Sequence, residues 1–295
     1  MLKTNERDSL QRFLFENAPI RGEGVHLDAS WRIILERHDY PPVVRNLLGE
    51  MMAASALLAS TLKFDGSLII QLQGDGPIPL MVMEATSDRT LRGMAEWKED
   101  IAESDLPELV GSGTLAITID PAHGKERYQG IVAIEGETLA ESIEAYLLKS
   151  EQLDTRLWLA ADENQSAGML IQKIPSDEMD IDEDCWNRAL HLADTITAEE
   201  LLQLPTQELI YRLFHEEDLR LFESEPISFR CSCSRDRVSN VLRSFGYDEI
   251  FSIIQELGKV HVDCEYCNQA YEFDSVDAEQ LFASTLPPDT PPTQH

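Results

Sequence analysis

Cysteine is scarce in this chain, with five among 295 residues, an odd number that cannot all pair into disulfides. Long apolar runs are missing as well: no stretch approaches the roughly 20 residues that carry a helix across a bilayer, which excludes a helical membrane span. The start, MLKTNERDSLQRF, has no apolar segment of the signal-peptide type. Positive charge is thin, with 24 Lys and Arg against 54 Asp and Glu, a formal net charge of −30. Phosphate backbones and anionic headgroups are both held by Lys and Arg, so neither nucleic acid nor a membrane surface is an expected partner. The expected compartment is the cytoplasm. There, thiols stay reduced, and paired cysteines are metal ligands or redox groups rather than permanent disulfides.

What is present begins with an ordinary core. A hydrophobic fraction of 43% permits a packed interior, and the length allows two or three domains of about 100 to 150 residues. From Pro42 to Lys63, Leu47, Leu48, Met51, Leu58 and Leu62 fall close to helical spacing, which predicts a buried helix with charged ends at Glu50 and Lys63. SLIIQLQ and IPLMVMEAT flank GDGP and predict a hairpin; TLAITID (114–120), YQGIVAI (128–134), RLWLAA and GMLIQKI predict further strands, and 138–150 a helix. The fold class is therefore α+β, with a mainly antiparallel sheet domain over 1–176. Gly74 and Gly76 suggest a turn rather than a phosphate loop, because Pro77 and Pro79 stand where a helix would start and no G-K-[ST] follows.

Between Asp177 and Asp184 six of eight positions are acidic, which places a boundary there. An acidic helical linker is expected over 177–228. Its segments EDCWNRALHLADT and TAEELLQLPTQELIYRLF are amphipathic, and Thr197 with Glu200 forms a capping-box pattern. Helices below about 12 to 15 residues are marginal alone, so these must dock on a neighbour. A small α+β domain follows over 229–286, with helices at 235–244 and 247–257, a strand at KVHVD and a hairpin through CEYCNQAYEF. A disordered tail is expected over 287–295.

Four of the five cysteines lie in that last domain. Cys231 and Cys233 are one residue apart, so an extended strand sends both side chains to one face; Cys264 and Cys267 have the spacing of a metal-binding knuckle. Together they predict a Cys₄ site for one Zn²⁺, with an iron–sulfur cluster and unliganded thiols as the alternatives. His261 could replace a sulfur, but the alternation of KVHVD explains it as a strand residue. Cys185, beside Trp186, reads as a small apolar contact rather than a redox group. A closed Cys₄ site leaves no open position for water or substrate, so no enzyme activity is expected. Its metal would instead hold the fold, supplying about 10 to 16 kcal/mol where a core this small rarely gives more than about 5. Metal and disulfide exclude each other, since thiolates on one zinc sit about 3.8 Å apart and a disulfide needs about 2.05 Å.

The segments FRCSCSRDR and VDCEYCNQAYEF resemble those of the heat shock protein 33 family. LLGEMMAASALLASTLKFDG, IIQLQGDGPIPL, LRG at 91–93, SEQL at 150–153, AGMLIQKIP, EELLQLP and YRLFHEE extend the resemblance over nearly the whole chain. Asp154 departs from a common proline, and Asn268 from a usual glycine, although Asn tolerates a left-handed turn best among the other residues. The resemblance implies an ATP-independent chaperone, a holdase for unfolded client proteins, monomeric and quiet when reduced and zinc-bound. It also implies that oxidation forms the disulfides Cys231–Cys233 and Cys264–Cys267, expels zinc, unfolds the last domain and linker, and favours a homodimer. Leu201, Leu202, Ile210 and Leu213 in the linker would then be exposed for clients. Two other readings remain: a zinc-ribbon module binding a protein or nucleic acid without redox switching, and a thiol oxidoreductase using Cys264-x-x-Cys267, which lacks the βαβ context of such enzymes.

Overall fold

The computed structural model describes residues 7–62, 64–98, 101–122, 126–175 and 184–283. The acidic boundary stretch, apart from Asp184, and the expected tail lie outside them. The chain divides into two compact units, Met1–Arg230 and Cys231–His295.

The first unit runs β1 (Ser9–Phe15), β2 (Ile20–Leu27), α1 (Ala29–Leu35), α2 (Pro42–Thr61), β3 (Gly66–Gln73), β4 (Leu80–Thr86), β5 (Thr90–Glu96), α3 (Leu106–Val110), β6 (Thr114–Pro121), β7 (Tyr128–Ala133), α4 (Leu139–Tyr146), β8 (Thr155–Ala161) and β9 (Ser166–Lys173). Then come the short helices α5 (Cys185–Ala193), α6 (Ala198–Gln203) and α7 (Thr206–Phe214), and the strands β10 (Leu219–Leu221), β11 (Glu225–Pro226) and β12 (Ser228–Phe229). One sheet has the order β10-β1-β2-β9-β8, with β11 also on β1; the other has the order β12-β5-β4-β3-β6-β7. Pairing is antiparallel throughout both, except that β12 runs parallel to β5.

Helix α2 lies between the two sheets, packing on β2, β8 and β9 on one side and on β3, β4 and β5 on the other. That placement explains its composition: Leu48, Met51, Met52, Ala53, Ala54 and Leu57 are fully buried, and a helix enclosed on opposite sides is apolar around most of its circumference. Glu50, expected at a charged end, instead sits in the interior of this helix, half-buried. Its carboxyl pKa is pushed up to about 7 by burial. The expected helix, the β3–β4 hairpin with Gln73 opposite Leu80, and strands β6 to β9 are all present. Gly74 and Gly76 pack against the end of α3: a Cβ on Gly74 would lie 2.0 Å from the Val110 carbonyl oxygen, and the Gly76 N–H donates to that oxygen at 2.8 Å. Close approach, not phosphate binding, requires these glycines.

The outer face of the first sheet carries a second core. Phe13, Phe15, Ile20, Met169 and Ile171 of the sheet meet Ala189, Leu201, Leu209, Ile210, Leu213 and Phe214 of α5 to α7. With α2 on its other face the sheet is buried on both sides, and β9 accordingly reads SAGMLIQK without alternation.

The second unit comprises α8 (Arg235–Phe245), α9 (Tyr247–Leu257), β13 (Val260–Asp263), β14 (Ala270–Phe273) and α10 (Ser275–Ala283). The two helices and the hairpin match the expectation, and α10 is an addition. Its core consists of Leu242, Ile250, Ile254, Val260, Phe273, Ala278, Leu281 and Phe282. So few buried side chains leave a unit of this length short of stabilisation.

Candidate metal centre

The β13–β14 hairpin builds half of the cysteine site. Its loop closes through Cys264 N–H to the Gln269 carbonyl at 3.0 Å, Cys267 N–H to the Cys264 carbonyl at 3.2 Å and Asn268 N–H to the same carbonyl at 2.7 Å. Asn268 takes φ 56°, the left-handed turn anticipated for it. Backbone N–H groups of Tyr266 and Cys267 donate to the Cys264 sulfur, and that of Gln269 to the Cys267 sulfur. The other half is the extended segment before α8, where Ser234 caps the helix by accepting from the Arg237 N–H at 3.2 Å. Arg237 also donates to the Ser232 hydroxyl at 2.6 Å, fixing the residue between Cys231 and Cys233.

The four sulfurs all lie within 4.8 Å of one another. Cys231 and Cys264 are 3.7 Å apart, and Cys233 and Cys267 3.4 Å. These separations lie at or just under the ~3.8 Å edge of a tetrahedral zinc thiolate site and are far from the ~2.05 Å of a disulfide. The donor set fits a metal on chemical grounds too. Four thiolates this close repel one another, and burial pushes the Cys264 and Cys267 thiols up, so a cation is needed to hold all four ionised. Cys233 differs: burial opposes its thiolate, yet the Tyr271 hydroxyl and neighbouring thiols hold its pKa below the usual value. Tyr271 donates to the Cys233 sulfur at 3.1 Å, and that bond pushes the tyrosine up to about 12. No spacing rule pointed to Tyr271.

His261 stays out of the cluster. It is exposed on β13, its Nε2 lies 3.0 Å from Asp263 Oδ2, and it also faces Glu272. Cys185 is 3% exposed in the outer core of the first unit, as an apolar contact would be. Of the linker residues singled out for clients, Leu201, Ile210 and Leu213 are buried, on the sides of α6 and α7 that face the first sheet. Leu202 is half-buried, and its carbonyl accepts from His26 Nε2 at 2.9 Å, tying α6 to the first sheet. Thr197 and Glu200 form the anticipated capping box.

No helix among the described residues is long and apolar enough to cross a membrane. The model of the family described as "Hsp33 protein" matches residues 8–274. A 33 kDa chaperonin from Nitrosococcus oceani is 52% identical over 291 residues, covering 99% of this chain and all of that protein. One from Methylobacillus flagellatus is 49% identical over 280 residues, covering 95% and 96%. Among solved structures, the 33 kDa chaperonin of Thermotoga maritima superposes with a TM-score of 0.82 over 94% of this chain and 99% of that one, at 20% identity, which speaks to the fold. With the family match running through both sheets and both cysteine pairs, this chain belongs to the Hsp33 family.

Proposed function

We propose that the protein is a chaperone, a holdase that binds unfolding proteins without ATP, and that its cysteine centre is the switch. The observation that carries this reading is the convergence of Cys231, Cys233, Cys264 and Cys267 in a unit whose own core is small. Zinc, when bound, keeps four sulfurs ionised at one point and supplies the stability that core lacks. A peroxide or hypochlorous acid takes two electrons from each thiolate pair: one thiolate attacks the oxidant, giving a sulfenic acid and releasing hydroxide or chloride, and the second attacks the sulfenic sulfur, displacing hydroxide, which solvent protonates, to close the disulfide. With no thiolates left as ligands, residues 229–286 open and the linker 177–228 follows, while 1–176 stays folded.

The linker is suited to this because its helices are six to nine residues long and rest on their docked face. Release bares Leu201, Leu202, Ile210 and Leu213 together with the sheet face beneath them, a surface matched to unfolded chains. The −30 charge keeps such an opened protein soluble. The reading includes a cytoplasmic, non-enzymatic protein, monomeric when reduced and dimeric when oxidised.

The decisive experiment measures bound zinc and suppression of a client's thermal aggregation side by side, before and after oxidation. About one zinc per chain, lost as protection appears, is the expected result. Protection unchanged after stoichiometric zinc release would overturn the proposal.

A further inference from the structure

The two halves of the cysteine centre are supported in different ways. The knuckle sulfurs of Cys264 and Cys267 receive backbone N–H groups, which no side-chain substitution removes. Cys233, in the extended half, receives a side-chain donor, the hydroxyl of Tyr271 at 3.1 Å. That hydroxyl is aimed by the fold: Tyr271 sits on β14 opposite Val262, on the same face as the buried Phe273, and its ring packs against the core of the second unit. A donor held by packing costs little entropy to keep in place.

Resting on the functional reading above, we propose that Tyr271 is a positioning residue that restrains oxidation of the centre by holding the Cys233 sulfur in a hydrogen bond. The physical basis is general. A hydrogen bond to an anionic sulfur withdraws electron density from the lone pairs that would attack an oxidant, and strengthens as the sulfur becomes more anionic. It also fixes where that sulfur points, and outer donors of this kind orient metal ligands and tune them. The attack it restrains is that of the Cys233 thiolate on a hydroperoxide: the sulfur gives two electrons to the near oxygen, the O–O bond breaks, and hydroxide leaves. Without the tyrosine hydroxyl that attack gains a more nucleophilic and less constrained sulfur.

The test is Tyr271→Phe in the full chain, which keeps the ring and removes one oxygen. Zinc release under hydrogen peroxide, followed with a chromogenic chelator, is expected to run about fivefold to tenfold faster, the loss expected for part of a charge-assisted hydrogen bond. Cobalt replaced for zinc gives a second readout that mere packing would not move: the sulfur-to-cobalt charge-transfer band shifts to longer wavelength in the variant. Placing 3-fluorotyrosine at position 271 alone strengthens the donor and shifts both readouts the opposite way, which keeps the proposal testable if the phenylalanine variant folds poorly. Unchanged release rates and bands in both variants would overturn it. If release accelerates but no client protection ever appears, the chaperone switch fails and the role of Tyr271 stands; if the wild-type protein takes up no metal, both fall.

Discussion

Phe214→Ala should release the linker without any oxidant. Phe214 is 1% exposed at the end of α7, its ring 5.2 Å from that of Phe15 in an edge-on arrangement and 5.8 Å from that of Phe13. Truncating a ring buried to this degree costs about 3 to 5 kcal/mol. The loss falls on docking, because α5 to α7 are too short to persist alone and their stability is that of the interface they share with the first sheet. At about 1.4 kcal/mol per tenfold, the population with an open linker rises by a factor of about 10² to 4 × 10³. Hydrogen exchange with mass spectrometry on the reduced, zinc-loaded protein reads this directly. Amides of 185–215 should exchange faster, amides of α2 should not, and client protection should appear under reducing conditions. Tyr211→Ala on the same helix, at a side chain 71% exposed, is the control and should change nothing. If α2 exchanges together with the linker, or neither moves, then the outer core is not a separable layer and the reasoning fails.

Glu23, 3% exposed on β2, accepts from the Ser60 hydroxyl, and burial pushes its pKa from 4.5 up to about 8, against the pull of Arg21 and Arg12. A raised acid stabilises fully below its unfolded pKa and loses that contribution as pH climbs through the folded one, so the thermal midpoint of the wild-type protein should fall between about pH 5 and pH 9. In Glu23→Gln that slope should flatten; parallel curves for the two proteins would contradict the assignment. Asn268→Ala places a Cβ-bearing residue without a local hydrogen-bonding side chain at φ 56° and should cost about 1 to 2 kcal/mol, weakening metal retention in a chelator competition. Asn268→Gly should retain metal at least as well as the wild type.

Legibility in the sequence followed how local each determinant is. Helix α2, the capping box at Thr197 and the β3–β4 hairpin are written in spacing and turn residues, and they were readable. Strands β1, β2 and β5 were not read. β2 is IRGEGVHL, buried on both faces, with Gly22 beneath the Phe13 ring and Gly24 beneath the Thr206 side chain, so no alternation marks it and its two β-branched residues stand apart. Its glycines make sense only once Phe13 and α7 are in place. The two- and three-residue strands β10 to β12 exist through pairing and carry no signal of their own. At the cysteine centre the spacing of the sulfurs was visible, whereas the Tyr271 donor depends on the register of β14 against β13.

The single parallel strand pair among the described residues has a mechanical consequence. Ser228 and Phe229 lie beside Thr90 and Leu91, and the Arg230 N–H donates to the Leu91 carbonyl at 3.0 Å. Arg230 alone then separates this stitch from Cys231. If the carboxy-terminal segment opens as proposed, tension along the backbone meets this two-residue stitch first, and then β11 and β10 on β1, before it can reach α7. Three short fastenings in series would have to give way before that pull loosened the helices beyond them.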